Sequence, residues 1–317
     1  MAVALSVRVA EADTVADDVR VLTLTPEPGT VLPAFSPGSH VVVHVPNGPR
    51  PRRNPYSLAS EPWRTDAYRI AVRRIEGGRG SVAMHEDVQA GDVLTIETPQ
   101  NFFAPPATAC RHVLVAGGIG ITPFVSYVHA LLRTGTDFEL HHAFRDAAAA
   151  PLVDELQALC GLRLTTWEDP DGAALMAYLR ERVLPEQPLG THLSVCGPAP
   201  MMDAVTAAAY QLGWPSTRVH LERFAADTGP MDPFTVRLAR SGLDLAVPEG
   251  VTLLDALEDA GAAPPSLCRL GFCGECRTGL VGGTADHRDA FLDPSERATA
   301  VMPCVSRCSS GPLVLDL

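Results

Sequence analysis

The cysteines carry the clearest chemistry in this sequence. Five of the eight crowd the last sixth of the 317-residue chain, and three of them follow a C-x4-C-x2-C spacing. These three are Cys268, Cys273 and Cys276, and Cys304 follows after 27 intervening residues. Thiolates bind zinc and iron–sulfur clusters. Cysteines crowded in this way indicate a metal centre more often than a set of disulfides.

We predict that these four thiolates bind a [2Fe–2S] cluster. The spacing is that of plant-type clusters, in which three ligands share one loop and a fourth arrives from a distant segment. A structural zinc site is the alternative, but zinc ribbons usually supply two CxxC pairs and only one is present. Gly271 and Gly274 allow the loop to curl so that backbone amides face the sulfur atoms. The fifth cysteine, Cys308, is expected to be a spare thiol.

A second group of motifs suits a dinucleotide. The segment 117–123 reads GGIGITP and joins a buried type of strand to an amphipathic helix, with Thr122 as the expected N-cap and Pro123 as the first helical residue. Glycines allow close approach to a pyrophosphate, and a helix N-terminus favours its negative charge. The segment is not GxGxxG, so it does not predict a dehydrogenase-type Rossmann site. Cys196-Gly197-Pro198 ends another strand, although Cys196 alone also suits a small buried hydrophobe.

A third glycine-rich turn lies earlier in the chain. Gly78-Arg79-Gly80-Ser81 opens a short helix, and free N–H groups at such an end suit a phosphate. An ordinary helix capped by Ser81 is the alternative.

The predicted secondary-structure elements that position these motifs follow a different pattern in each part of the chain. Residues 1–106 contain short Val-, Ile- and Thr-rich strands and predict an antiparallel β-barrel. Residues 107–226 alternate strands and helices and predict a parallel α/β sheet. Residues 227–233 form a predicted linker, and residues 234–317 a small α+β domain that holds the cysteine loop. We therefore expect a multidomain protein.

Composition excludes several classes of function. The net charge is −12 and no basic cluster tracks phosphates, so a nucleic-acid partner is not expected. No apolar run approaches the roughly 20 residues that a membrane span needs, and acidic residues arrive too early for a signal peptide. A cytoplasmic, monomeric protein is expected.

The order of flavin-type barrel, nucleotide domain and C-terminal plant-type ferredoxin (β-grasp) domain resembles the phthalate dioxygenase reductase family, within the ferredoxin–NADP reductase superfamily. In that family an R-x-Y-S motif binds the flavin: Arg holds the phosphate, Tyr packs on the ring, and Ser lies near N5. Here Tyr56 and Ser57 match, whereas Asn54 stands at the position of the arginine. The resemblance implies that Arg53 (or Arg52) takes over the phosphate after a local shift.

The resemblance also implies the cofactors and their residues. FMN is expected rather than FAD, and NADH rather than NADPH. Arg145 and Asp146 leave the nucleotide choice open, because an arginine suits a 2′-phosphate and an acid suits a 2′-hydroxyl. Ser57, Cys196 and Glu222 are the candidate catalytic residues. The remaining candidate cofactor-binding residues are Ala71, Val72, Arg73, Gly78, Gly80, Ser81, Gly117, Gly118, Gly120, Thr122, Pro123, Gly197, Pro198 and Phe224.

Together these features predict an NAD(P)H-dependent reductase. It would pass a hydride to flavin and then single electrons through the cluster to a separate terminal oxygenase, which the resemblance implies is of the Rieske type. A haem-thiolate monooxygenase as the partner, and a redox sensor without turnover, are the alternatives. The cofactors carry the chemistry, so no acid–base pair is required.

Overall fold

The computed structural model describes residues 3–46, 52–224, 229–262 and 264–317. The chain divides into two compact units, Met1–Glu222 and Arg223–Leu317. No helix within the described ranges combines the length and the apolar character needed to cross a membrane.

The first unit begins with a six-stranded antiparallel sheet. Its elements are β1 (Ala4–Ala16), β2 (Val19–Pro26), β3 (His40–Val45), β4 (Arg52–Ser57), β5 (Tyr68–Arg73), α1 (Arg79–Glu86) and β6 (Val93–Glu97). The strand order is β4-β3-β6-β1-β2-β5, and a bridge between Leu58 and Ile70 joins the two edges. Alternate residues such as Val41 and Val43 fill the interior. The predicted antiparallel barrel is confirmed.

A buried arginine holds α1 in place. Arg20, on β2, donates from Nη1 to the carbonyl oxygens of Met84, His85 and Val88 at 3.1, 2.8 and 2.9 Å. These carbonyls lie at the C-terminal end of α1, where a helix has no internal donors and where a cation is favourable. The helix is therefore fixed at its C-terminal end and leaves its N-terminus open.

The first unit continues with a five-stranded parallel sheet. Its elements are β7 (Arg111–Gly117), α2 (Thr122–Thr134), β8 (Asp137–Phe144), α3 (Val153–Cys160), β9 (Leu164–Glu168), α4 (Ala173–Tyr178), β10 (Thr191–Cys196), α5 (Ala199–Gln211) and β11 (Val219–Glu222). The strand order β11-β10-β7-β8-β9 reverses direction between β7 and β10. Such a switch point forms a crevice at the carboxyl ends of the strands, where ligands bind in open α/β sheets.

The start of α2 differs from the prediction. Thr122 is the first residue of the helix rather than its N-cap, because a 3-10 turn over Gly118–Ile121 runs directly into the helix. The Thr122 hydroxyl donates to the carbonyl oxygen of Ile119 at 3.0 Å. Gly135 ends the helix in the left-handed region at φ 68°, a conformation that glycine adopts readily at a helix C-terminus.

The second unit is a small α+β fold. Its elements are β12 (Phe234–Leu238), β13 (Asp244–Val247), α6 (Leu253–Asp259), β14 (Thr278–Asp286), β15 (Ala300–Val301) and β16 (Arg307–Leu315). The mixed sheet has the order β13-β12-β16-β14-β15, with β12 and β16 parallel. The Thr252 hydroxyl caps α6 by accepting from the Asp255 N–H at 3.0 Å. The predicted α+β domain is confirmed. The sequence analysis did not identify β14 and β16 as strands.

The predicted linker lies only partly within the described residues, because 227 and 228 fall outside them. The Pro230 carbonyl accepts from Arg288 at 3.1 Å, and the Met231 carbonyl accepts from the Gly250 N–H at 3.1 Å. The described end of this segment is thus hydrogen-bonded to other residues of the second unit.

Candidate functional site

The four predicted cluster ligands lie in the second unit as two contacting pairs. The Sγ atoms of Cys276 and Cys304 are 3.3 Å apart, and the Cys268 and Cys273 thiols are hydrogen-bonded to each other. All of them except Cys273 are buried. The fourth ligand therefore reaches the cysteine loop although 27 residues separate it in sequence.

Backbone amides favour the thiolate form at Cys268. A hydrogen bond from Cys273 lowers the pKa of Cys268 to about 5, and the backbone N–H groups of Leu270, Phe272 and Cys273 lower it as well. The Leu270 nitrogen lies 3.4 Å from the Cys268 Sγ atom. Four thiols brought together by the fold, with backbone N–H groups directed at one of them, fit the predicted cluster.

Two glycines shape this loop. Gly271 and Gly274 have φ angles of 82° and 79°, in the left-handed region that glycine adopts at little cost. A Cβ atom at Gly274 would overlap the Phe291 ring. Both positions therefore require glycine.

An arginine anchors the loop to α6. Arg269 also has a positive φ, 58°, which is unfavourable for a residue with a Cβ atom. Its guanidinium lies 2.6 Å from a Glu258 carboxylate oxygen and 2.5 Å from an Asp255 oxygen, and it is mostly buried. The sequence analysis did not identify Arg269, because nothing in the pattern shows that the residue after Cys268 turns back onto a helix. Cys308, by contrast, lies on β16 and packs against the hydrophobic core of this unit.

Asn54 and Tyr56 share one face of β4 in the barrel. They pair with Val43 and Val41 of β3, and the Asn54 Nδ2 atom lies 3.4 Å from the Tyr56 hydroxyl. Burial raises the pKa of Tyr56 to about 12, so it stays a phenol. A Cβ atom at Gly80 would overlap the Asn54 amide. The strand motif and the glycine turn, predicted separately, therefore meet at one place.

The register of β4 separates the two candidate arginines: Arg52 pairs with Val45 and lies on the face of Asn54 and Tyr56, whereas Arg53 does not. Arg53 pairs with His44 and so lies on the opposite face from Tyr56. Its Nε and Nη2 atoms lie 2.8 and 2.6 Å from the buried Glu97 carboxylate, which His44 Nε2 also contacts at 3.0 Å. No local shift brings Arg53 beside Asn54, because neighbouring residues of a strand point to opposite faces. Sequence reasoning missed Glu97 as the partner of Arg53.

The N-terminus of α1 has no side-chain cap. The helix begins after Gly78, and Ser81 lies inside the first turn, where its hydroxyl accepts from the Ile75 N–H at 3.1 Å. The alternative of an ordinary helix capped by Ser81 is therefore wrong. Uncapped first-turn N–H groups are the feature that a flavin phosphate requires.

The remaining flavin candidates are spread along the strands. Ser57 is buried at the end of β4, opposite His40 of β3. On β5, Ala71 and Val72 are buried, and the Val72 carbonyl oxygen lies 2.8 Å from the His85 Nε2 atom. Arg73 is exposed and forms an ion pair with Asp18 at 2.6 Å.

Three glycines bring the two nucleotide motifs into contact at the switch point. A Cβ atom at Gly117 would lie 2.6 Å from the Pro198 Cδ atom, and one at Gly197 would lie 2.9 Å from the Gly117 nitrogen. A Cβ atom at Gly120 would overlap the carbonyl oxygen of Cys196. This glycine-lined cradle lies at the carboxyl ends of β7 and β10, the edge at which ligands bind in open α/β sheets.

Cys196 and Glu222 lie at the edge of that cradle. They end neighbouring parallel strands and pair in register. Cys196 is fully buried, and burial raises the pKa of its thiol. Burial also raises the pKa of Glu222 to about 8, and its Oε2 atom has no hydrogen-bond partner among the described residues.

The last two candidates are exposed. Arg145 directly follows β8, and Phe224 follows β11 with 42% of its surface accessible. Phe224 belongs to the second unit, whereas the other candidate flavin and nucleotide residues belong to the first.

Three family models cover most of the chain. Residues 6–104 match "Oxidoreductase FAD-binding domain", and residues 236–309 match "2Fe-2S iron-sulfur cluster binding domain". Residues 99–219 match "Dimethylamine monooxygenase subunit DmmA-like, N-terminal domain". The chain is therefore a flavin- and [2Fe–2S]-binding oxidoreductase.

Two curated relatives cover nearly all of the chain. The haem-dependent oxidative N-demethylase beta subunit of Ectopseudomonas mendocina (strain ymp) is 46% identical over 91% of both chains. The carnitine monooxygenase reductase subunit of Escherichia coli (strain K12) is 39% identical over 98% of both. With such relatives, the chain is the electron-transfer component of an oxygenase system and serves a separate terminal oxygenase.

A solved structure gives the same result for the whole architecture. The structure of phthalate dioxygenase reductase, described as modular for electron transfer from pyridine nucleotides to [2Fe–2S], matches with a TM-score of 0.85 and 36% identity. The match covers 99% of this chain and 98% of that one. The expected order of barrel, nucleotide sheet and ferredoxin domain is therefore confirmed, and the chain belongs to the phthalate dioxygenase reductase family.

Proposed function

We propose that this reductase oxidises NADH, uses FMN as its flavin, and delivers electrons through its cluster to a haem-dependent terminal oxygenase. One observation carries the nucleotide part of the proposal. Gly117, Gly120 and Gly197 pack two strand ends so closely that the backbone itself forms the cradle. When bound, the flavin accepts a hydride and the cluster forwards the electrons singly.

The barrel residues are assigned to FMN. Tyr56 packs on the ring and, as a buried phenol, adds no charge there. The uncapped N-terminus of α1 binds the phosphate, with the Asn54 amide beside Gly80 as a neutral donor. Ser57, buried at the end of β4, would donate or accept a hydrogen bond at the flavin ring.

Cys196 and Glu222 are assigned to the place where nicotinamide and flavin meet. With a pKa of about 8, Glu222 carries its proton at pH 7, so neither side chain places a negative charge there. Because these two side chains are uncharged, they do not stabilise the positive charge of the oxidised nicotinamide ring. This favours release of the oxidised nucleotide.

The choice of NADH over NADPH is supported by the resemblance to the reductase family and by the residues that follow β8. Arg145 is exposed and is followed by Asp146, whose carboxylate suits a ribose 2′-hydroxyl.

The proposal of a haem-dependent partner is supported by one of the curated relatives described above. The relative with 46% identity is the beta subunit of a haem-dependent N-demethylase. A Rieske-type oxygenase is the second candidate, supported by the structural match to phthalate dioxygenase reductase.

The test is reconstitution with both classes of oxygenase. Extraction of the flavin separates FMN from FAD, and kcat/KM with NADH and NADPH separates the nucleotides. We expect the rate of NADH-driven reduction to be higher for a haem-dependent demethylase than for a Rieske-type oxygenase. A higher rate for the Rieske-type oxygenase would identify that class as the partner instead. Absence of cytochrome c reduction by fully loaded protein would favour the redox sensor, and colourless protein carrying zinc would refute the account.

A further inference from the structure

A buried histidine lies directly beneath the nucleotide loop. His142, on β8, pairs with Ala116 of β7, one residue before the glycines begin. Its ring is completely inaccessible to solvent, and its Nε2 atom lies 3.1 Å from the carbonyl oxygen of Gly118. Its sequence position gave no reason to connect it with that loop.

The chemistry of this contact fixes which ring nitrogen carries the proton. Burial lowers the pKa of His142 to about 4, so the imidazole is neutral near pH 7. A carbonyl oxygen only accepts hydrogen bonds, so Nε2 carries the proton and donates. The Nδ1 atom has no partner within the described part of the chain, and the Phe144 ring packs edge-on against the imidazole at 5.4 Å.

The hydrogen bond determines how one peptide group is turned. Gly118 has a φ of 52°, and the bond between Gly118 and Ile119 is a trans peptide, so its C=O and N–H point in opposite directions. With the carbonyl held towards the sheet by His142, the Ile119 N–H points away from it. Ile119 lies in the first turn of the 3-10 helix, where N–H groups have no partner inside the helix.

We propose that His142 is a positioning residue that turns the Gly118–Ile119 peptide so that the Ile119 N–H is available to the pyrophosphate of a nicotinamide dinucleotide. This inference rests on the proposed nucleotide site and adds a residue that does not touch the nucleotide. The geometry of the nucleotide loop then depends on the His142 N–H donor of the neighbouring strand as well as on the glycines.

The first test compares two substitutions at one position. His142→Gln retains an N–H donor at nearly the same reach, whereas His142→Phe fills the space without a donor. We expect His142→Phe to weaken the binding of NADH and of ADP-ribose by about 10-fold, measured by calorimetric titration of the holoenzyme, because a lost hydrogen bond costs on this order. His142→Gln should restore most of the affinity. The KM for NADH should rise with little change in kcat, as for an interaction that contributes equally to ground and transition states.

A second variant and a matched control guard against misfolding. Gly118→Ala leaves the histidine intact, and no atom lies within 4 Å of the added Cβ atom, so it disturbs only the backbone angle. It should weaken ADP-ribose binding as well. His141→Phe removes an equally buried histidine on the opposite face of β8 and should leave both affinities unchanged. Flavin and cluster absorbance and the thermal midpoint report folding.

The outcomes separate this inference from the proposed function. If the wild type and His142→Phe bind ADP-ribose with equal affinity, or if the Gln and Phe variants lose equal affinity, the positioning role of His142 is refuted. The proposed function would then still stand. Failure of the wild type to bind either nucleotide would refute the proposed function and this inference with it.

Discussion

Cys196 and Glu222 face each other in register at the carboxyl ends of β10 and β11, one a fully buried thiol and the other a carboxyl group with a raised pKa. Burial raises the pKa of both groups. The pair therefore forms an uncharged wall beside the glycine cradle, and we predict that its protonation affects the stability of the fold.

The buried carboxyl group predicts a specific pH dependence of stability. The pKa of Glu222 is about 8 in the folded protein and 4.5 when unperturbed, so the folded state keeps a proton that the unfolded state loses. Stability contributed by this group is fully present below pH 4.5 and is lost as the pH rises through 8. Glu222→Gln should remove this part of the slope, measured as thermal midpoints between pH 5.5 and 8.5. Glu76→Gln, at an exposed position, should retain it, and parallel curves for wild type and Glu222→Gln would contradict the assignment.

Loss of one cluster ligand should separate the two halves of the reaction. In Cys273→Ser the cluster is not retained, because plant-type sites need all four thiolates. NADH-driven dye reduction should persist while cytochrome c reduction falls by at least about 100-fold, and the cluster EPR signal should disappear. Cys308→Ser is the matched control, since Cys308 packs in the core, and it should keep both activities. Retained cytochrome c reduction in Cys273→Ser would show that electrons leave directly from the flavin.

Arg269 offers a test that separates backbone strain from ion pairing. Both Arg269→Ala and Arg269→Gly leave Asp255 and Glu258 without this partner, and we expect a loss of about 3 kcal/mol in the stability of the second unit. Glycine relieves the positive φ of 58°, so Arg269→Gly should be about 1 kcal/mol more stable than Arg269→Ala. Urea unfolding of the full chain measures both values. Arg240→Ala removes an exposed pair with Asp316 and should cost much less stability than either Arg269 variant. An Ala variant as stable as the Gly variant would argue against strain at this position.

The two faces of β4 predict opposite effects of neighbouring substitutions. Asn54→Ala should weaken FMN binding by about 10-fold, because it removes a donor beside the N-terminus of α1. Arg53→Ala should mainly lower stability, because it leaves the buried Glu97 carboxylate without its arginine. Fluorescence titration of the apoprotein with FMN and thermal unfolding distinguish the two. A larger loss of FMN affinity in Arg53→Ala would restore the original assignment of the phosphate to Arg53.

The parts of the fold that the sequence predicted well are those that local patterns determine. Three cluster ligands lie on one loop, so their spacing alone indicates the site. The hydrophobic periodicity likewise distinguishes the barrel from the α/β domain. Burial on one face imposes a period of 2 residues on a strand and of 3.6 residues on a helix.

The errors came from features that need a partner strand or a neighbouring turn. The expected local shift that would bring Arg53 beside Tyr56 is absent because β4 pairs with β3 without a bulge. The strands β14 and β16 were missed because they contain glycines and a proline, residues with low β-propensity that tertiary pairing overrides. The role of Arg269 depends on a backbone angle that no sequence pattern specifies.

The close approach of Asn54 and Gly80 has a consequence for how this barrel can change by mutation. A methyl group at position 80 collides with the amide at position 54, so each position limits the side chains that the other tolerates. Gly80→Ala becomes less harmful once position 54 carries a smaller side chain, and the two substitutions together then cost less than the sum of their separate effects. Although 26 residues apart along the chain, these positions form one unit for selection and for engineering.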